Sequence, residues 1–402
     1  MKTTARLPIP AEVLGLMWIS LCAFAAYHAP QPLFPSIQEE FGISQSTVTL
    51  ITACVLFPLG LAPMFYGILL GRLSMRRTLT TALCLYCIAL LPMPLQGNWP
   101  MMLAGRCLQG MTLPAIILCV MTYIATHYEG RTLQKYMSGY SFCCIFGGFF
   151  GRFIAGGMEN FFGEWRLAFL AMALMVATTI PCCRLLTPGP VAFQKPDFTA
   201  IGRLLRQNGM AKLLLLTACL AMANNSVLNV LPFRLRELDP SITPFTISLV
   251  YTSLIICSSV GLFSMYLIRL LKSEMGLVLS GIVAVLVFIP LLSVHSVPLL
   301  GLMLVLFSFG YSFFYVCIPG IINRFSDSEK SVTNGVFISS YYLSGAFGSF
   351  LPIIVFENFG FTVYLVCIFL LSCLSFGFAF NMKNTVTDRI TEPHSSTSKE
   401  SL

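Results

Sequence analysis

The chain has 402 residues, 56% of them hydrophobic and only 10% charged, with a formal net charge of +8 and a mean hydropathy of +0.82. A soluble domain carries about 25% charged residues, so this chain has too little charge to cover a surface facing water. An ordinary cytosolic enzyme, a nucleic-acid binder and a disordered scaffold are excluded, and a polytopic membrane protein is left.

A helix needs about 20 apolar residues to cross the hydrocarbon core. The runs here are continuously apolar rather than alternating, which favours helices over a barrel. In chain order the predicted spans 1 to 12 are 12–34, 46–70, 78–96, 99–123, 136–158, 165–186, 210–233, 244–270, 275–294, 297–321, 332–356 and 361–382. The first is too long for a cleaved signal sequence and reads as a retained span. The expected organisation is a first six-span bundle at 1–186, a cytoplasmic linker at 187–209, a second bundle at 210–382 and a disordered cytoplasmic tail at 383–402.

Span 1 carries Tyr27, His28 and Gln31 within about one turn. His28 is the only histidine inside a span, and imidazole exchanges protons near neutrality. Both a proton relay and a hydrogen-bonded packing residue fit it. After span 2 comes a basic loop with Arg72, Arg76 and Arg77, which fits either a latch between helix ends or an anchor at the anionic leaflet. All fifteen cysteines fall in apolar runs, including the C-x-x-C of Cys84 and Cys87, so small apolar packing is expected and a disulfide framework is not. No metal site and no cofactor are expected.

Span 4 contains Arg106, with Gln109 one turn away on the same face. A buried arginine is costly in a bilayer and needs a polar cavity or a partner. Arg106 is therefore read as a cavity-lining cation that binds substrate or modulates a proton site, or as a snorkelling or carbonyl-paired structural group. Span 5 holds Gly147, Gly148, Gly151 and Arg152, a small-residue face suited to close helix packing. On span 7, Asn225 and Asn229 share a face, with Asn224 beside them. On span 10, Tyr311 and Tyr315 share a face, with Pro319 and Gly320 expected to break the helix nearby. Span 11 presents Tyr341, Tyr342, Gly345 and Gly348, where packing and substrate contact are both open.

A shift of 197 positions aligns Gly148, Phe150, Gly151, Phe153, Phe162 and Gly163 with Gly345, Phe347, Gly348, Phe350, Phe359 and Gly360. Two duplicated halves follow, a common transporter design with the substrate site near the midplane. Charge orients them. With the N-terminus in the cytoplasm, all but five of the 24 Lys and Arg residues fall on the cytoplasmic side. The exceptions are Arg166, Arg234 and Arg236 on the opposite side, and Arg106 and Arg152 inside spans. The positive-inside rule thus puts both termini in the cytoplasm.

These residues also carry a resemblance. Gly67-Ile-Leu-Leu-Gly71-Arg72-Leu-Ser74-Met-Arg76-Arg77 is similar to the G-x-x-x-D-R-x-G-x-R-R loop of the major facilitator superfamily. Gly71 stands here for the acidic residue and Ser74 for the second glycine, so Arg72 lacks the local carboxylate that the latch would use. Arg106-Cys-Leu-Gln109-Gly110 resembles the family's R-x-x-Q-G motif. Tyr27-His-Ala-Pro-Gln31-Pro32-Leu-Phe-Pro35 resembles the drug and sugar efflux branch, in particular arabinose-efflux-permease-like proteins. The resemblance implies an all-α fold of twelve transmembrane helices in two pseudo-symmetric six-helix bundles. It also implies a secondary transporter of the inner membrane, exporting by alternating access with protons as coupling ion. On span 5 the family's antiporter motif has a proline where Arg152 stands, so antiport is not read from that span. In the family, spans 1, 4, 7 and 10 line the cavity. Spans 2, 5, 8 and 11 contribute where the halves meet, and this placement makes Tyr27, Gln31, Arg106, Gln109, Asn225, Asn229, Tyr311, Tyr315 and, on span 11, Tyr342 substrate candidates and His28 and Arg106 proton-coupling candidates. Gly67, Arg72, Arg76, Arg77, Gly147, Gly151, Arg152, Gly345 and Gly348 are candidates for gating and packing.

Every Asp and Glu can be assigned to a loop, a terminus or a span edge. Exporters of lipophilic cations usually need a buried carboxylate. The expected cargo is therefore a small anionic, zwitterionic or polar solute, with a multidrug cation exporter or a metabolite importer as alternatives. A membrane receptor on the same scaffold is the alternative from another class. No enzyme motif and no phosphate-binding loop is present. The expected partners are a small-molecule substrate, protons and the lipid bilayer, with no nucleic acid, and the expected state is a monomer.

Overall fold

A computed structural model of the protein describes residues 9–69, 74–95, 98–187, 198–207, 209–258, 260–271, 273–325 and 330–391. Gly71 and Arg72 of the basic loop, most of the expected linker and the residues after 391 lie outside these. Among the described residues the secondary structure is helical, without a β-strand. Among the described residues, nine helical stretches are long and apolar enough to cross a membrane. One of them, Val332–Lys383, has 52 residues, and its parent helix is broken at Gly360 (φ 82°, ψ 174°). It therefore holds the predicted spans 11 and 12. Met75–Leu90 falls in span 3, and Pro244–Val250, Ser253–Ser258 and Val260–Leu271 are pieces of span 8. The protein is an all-α, multi-pass membrane protein.

Helix ends follow local chemistry. Asn98 accepts from the Met101 amide (3.0 Å) ahead of Trp99–His127, and Ser273 accepts from Gly276 (3.0 Å) ahead of Glu274–Leu291. Gly163 (φ 67°) closes Gly130–Phe162 in the left-handed region, which glycine reaches without a Cβ clash. Span 1 ends earlier than predicted, at His28, and the chain continues through a 3-10 turn, Gln31–Leu33, into Phe34–Phe41. Pro30 and Pro32 lack the amides that would carry the α-helix on. Pro319 and Gly320 do not break span 10 as expected: Val297–Phe325 runs through them. Asn323 Nδ2 donates to the Pro319 carbonyl (2.9 Å), adding a side-chain bond at this point. The expected linker contains a nine-residue helix, Phe198–Arg206, with Leu204 fully buried. The last helix stays helical to Thr391.

The chain forms two compact units, one of residues 1–33, 66–194 and 243–249, the other of 34–65, 195–242 and 250–402. In the first, span 1 crosses span 5 at a glycine face. A Cβ on Gly147 would run into the Leu21 backbone, and one on Gly151 into the Ala25 carbonyl. In the second, span 7 crosses span 11, and a Cβ on Gly348 would run into the Met222 carbonyl.

The register of the two crossings is the same. Ala25 and Met222 are 197 positions apart, as are Gly151 and Gly348. A Cβ on Gly148 would lie 2.9 Å from His28, and one on Gly345 2.8 Å from Asn225, again 197 positions on. The repeat read from spans 5 and 11 thus extends to the helices they pack against.

The second unit also holds most of span 2, through residue 65. A Cβ on Gly60 would lie 2.9 Å from the Leu343 amide nitrogen. At the start of this span, Glu357 accepts from the Gln45 and Ser46 amides (3.2 and 3.3 Å) and from Ser46 Oγ (2.7 Å). A carboxylate there satisfies open amides and complements the helix dipole, though exposure limits its worth. Glu357→Ala is expected to lower stability by about 0.5–1 kcal/mol, and Glu357→Gln by less, in detergent melting curves.

Candidate functional site

The largest buried polar cluster expected from the sequence lies in the first unit. Arg106 and Arg152 are 1% and 2% exposed, Gln109 0%, Gln31 4% and Tyr27 7%. Among the described residues no aspartate or glutamate is buried. The two arginines are held in different ways, and that difference separates their roles.

Arg106 reaches the end of span 1. Its Nη2 donates to the Tyr27 carbonyl (2.9 Å), and Nη1 to the Ala26 carbonyl (3.4 Å) and to Gln109 Oε1. The cause is in the sequence. The helical partner of the Ala26 carbonyl would be the amide of residue 30, which is proline and has none. A helix C-terminus is also the negative end of its dipole. Arg106 therefore caps span 1, with Gln109 fixing the guanidinium. Of the two readings of Arg106, these bonds are those of the carbonyl-paired structural alternative.

Arg152 is held largely by side chains. Nε donates to Gln31 Oε1 (2.7 Å), Nη1 to the Gly148 carbonyl (2.9 Å) and Nη2 to His28 Nδ1 (2.9 Å). A guanidinium has donors only, so Nδ1 is the acceptor in that bond and His28 is the neutral tautomer with its proton on Nε2. The Tyr27 ring lies 4.1 Å from the His28 ring. His28 is the one member of the cluster that is partly exposed. Chemically, the group offers a fixed guanidinium beside an imidazole that can take one proton. The sequence named every residue of this cluster but did not pair His28 with Arg152, which lies 124 positions away.

The second-unit candidates form two groups. Asn229 is fully buried and accepts from Thr52 Oγ1 (3.2 Å), while Asn225 Nδ2 donates to the Ala221 carbonyl (3.0 Å) and faces Gly345. Asn224 is 8% exposed. Thr52 was not anticipated, because nothing in an apolar run marks one threonine as a partner. Tyr311 donates to the Tyr341 hydroxyl (3.1 Å), and the Tyr315 and Tyr342 rings lie 5.9 and 5.2 Å from the Tyr341 ring. Tyr311 is buried, whereas Tyr315 is largely exposed. Gly67 is part of the helical backbone of Leu50–Leu69. Arg76 is half-buried and Arg77 exposed at the start of Met75–Leu90, and Arg72 lies outside the described residues.

Apolar spans crossing at glycine faces around a buried polar cluster fit the architecture of helical membrane transporters. The family model described as Major Facilitator Superfamily matches residues 16–349, and the chain belongs to that family. Over 188 residues it is 30% identical to the inner membrane transport protein YnfM of Escherichia coli (strain K12), covering 44% of this chain and 43% of that protein. The match thus spans less than half of that relative's length. An uncharacterized transporter of Buchnera aphidicola subsp. Baizongia pistaciae (strain Bp) is 23% identical over 340 residues, 81% of this chain and 82% of that one.

Among solved structures, the nucleoside transporter NupG superposes with a TM-score of 0.76 at 13% identity, covering 94% of this chain and 99% of that one. A D-xylose–proton symporter gives 0.75 at 13%, covering 96% and 99%. The human organic anion transporter MFSD10 gives 0.68 at 14%, covering 92% and 99%. At these identities the likeness establishes the fold.

Proposed function

We propose that the protein is a proton-coupled secondary transporter of a small anionic, zwitterionic or polar solute, working by alternating access in the inner membrane. The observation that carries this reading is the pair of buried guanidiniums with no buried carboxylate among the described residues. A lipophilic cation would be repelled by such an interior, and a carboxylate attracted to it. Arg152, Gln31 and His28 are the proposed contacts for cargo and proton. Arg106 and Gln109 hold span 1 in place beneath them, and Asn225, Asn229, Tyr311, Tyr315 and Tyr342 supply neutral polar contacts. Resemblance to the efflux branch supports export, and charge placement supports cytoplasmic termini.

The test is flux through proteoliposomes under an imposed pH gradient, with anions, zwitterions, sugars and cationic dyes as candidate cargo. Gradient-driven movement of an anion or zwitterion is expected. Movement of the dyes with no response to any carboxylate would overturn the proposal.

A further inference from the structure

We propose that His28 and Arg152 form a proton-linked anion site, in which one proton and one small monovalent anion such as a carboxylate bind together. This rests on the anionic reading above and fixes the sign of its coupling.

The geometry sets the order of events. His28 Nδ1 is occupied by the Arg152 Nη2–H bond. A proton taken up at Nδ1 removes the lone pair, ends that bond and leaves an imidazolium beside a guanidinium. The charged groups facing His28 are Arg152 from span 5 and Arg106 from span 4. Gly148 from span 5 and Tyr27 and Gln31 from its own segment also lie against it. None of these supplies a negative charge, so the added cation needs an anion, which can accept N–H bonds from both the imidazolium and the guanidinium. One proton and one negative charge enter, and the net charge of the site is unchanged. Each ligand therefore tightens the other. Solute and proton travel in the same direction, so export through this site runs when the summed solute and pH gradients point outward.

The duplicated half shows that the charged pair is not a packing requirement. At the equivalent crossing, 197 positions on, His28 is replaced by Asn225 and Arg152 by Ser349. Ser349 Oγ donates to the Gly345 carbonyl (2.8 Å), as Arg152 Nη1 does to Gly148 (2.9 Å). The same glycine contact is made with neutral side chains.

The experiment uses the purified full chain in detergent, with lactate, benzoate and glutamate as anionic probes and a sugar and a cationic dye as controls. Affinity is read by anion-dependent melting from pH 5.5 to 8, and proton uptake in lightly buffered solution. The expected result is up to tenfold tighter anion binding per pH unit of acidification, with one proton taken up per anion. His28→Asn is expected to bind more weakly and without pH dependence. His28→Asn with Arg152→Ser is expected to melt as a folded protein and bind no anion. Anion binding that is independent of pH in the wild type, or unchanged pH dependence in His28→Asn, overturns the coupling and leaves the anionic reading standing. Binding of none of the anions at any pH overturns the anionic reading itself.

Discussion

Replacing Gly151 with alanine is expected to prevent spans 1 and 5 from docking, since its Cβ would make the closest approach of any glycine among the described residues. The new Cβ would fall on the carbonyl oxygen of Ala25, with that residue's carbonyl carbon and Cα close behind. Overpacking costs about 1–3 kcal/mol when side chains can yield. Here backbone meets backbone, so only separation of the helices relieves the overlap, and a loss above about 3 kcal/mol is expected. Gly157→Ala is the control. Its Cβ would meet only Phe245 Cδ2, at an ordinary 3.8 Å. It is expected to be neutral or slightly stabilising, since alanine is the better helix former by about 1 kcal/mol. Melting temperature and yield of monodisperse protein check both. Equal behaviour of the two variants would reject the crossing as described.

The second large effect is expected at Arg106. Arg106→Ala removes the donors that satisfy the Ala26 and Tyr27 carbonyls at the buried end of span 1. A buried polar group left unsatisfied costs about 1–3 kcal/mol, so the pair amounts to roughly 2–6 kcal/mol. Transport is expected to be abolished as well, because His28 and Gln31 flank this helix end. Arg106→Lys is expected to recover part of the stability, since one ammonium can reach a carbonyl but cannot reproduce the fork of donors. Flux in proteoliposomes, read beside the melting curves, checks this. Normal turnover in Arg106→Ala would remove the residue from both roles.

The two arginines show how far the sequence was legible. Hydropathy alone placed the spans, because bilayer thickness dictates the length of an apolar run. The cost of buried charge singled out both arginines. Their division of labour was not visible, because it turns on where span 1 stops. With the span drawn to residue 34, Pro30 lies inside it and the Ala26 carbonyl does not stand out. With the helix ending at His28, that carbonyl needs an outside donor. The His28–Arg152 bond joins groups 124 positions apart, and no local period reports such a distance. The repeat does carry it, once the shift found in spans 5 and 11 is applied to spans 1 and 7. Span 8 shows the reverse case: its apolar run is continuous in sequence but divided at Tyr251 and Thr252 in the fold.

One joint of this molecule exists in two liveries. Where the early copy wears histidine and arginine, the late copy wears asparagine and serine over matching glycines. The same glycine crossing carries either lining. On the proton-linked reading proposed above, grafting histidine and arginine into the late copy, at Asn225 and Ser349, is expected to add a second charged berth.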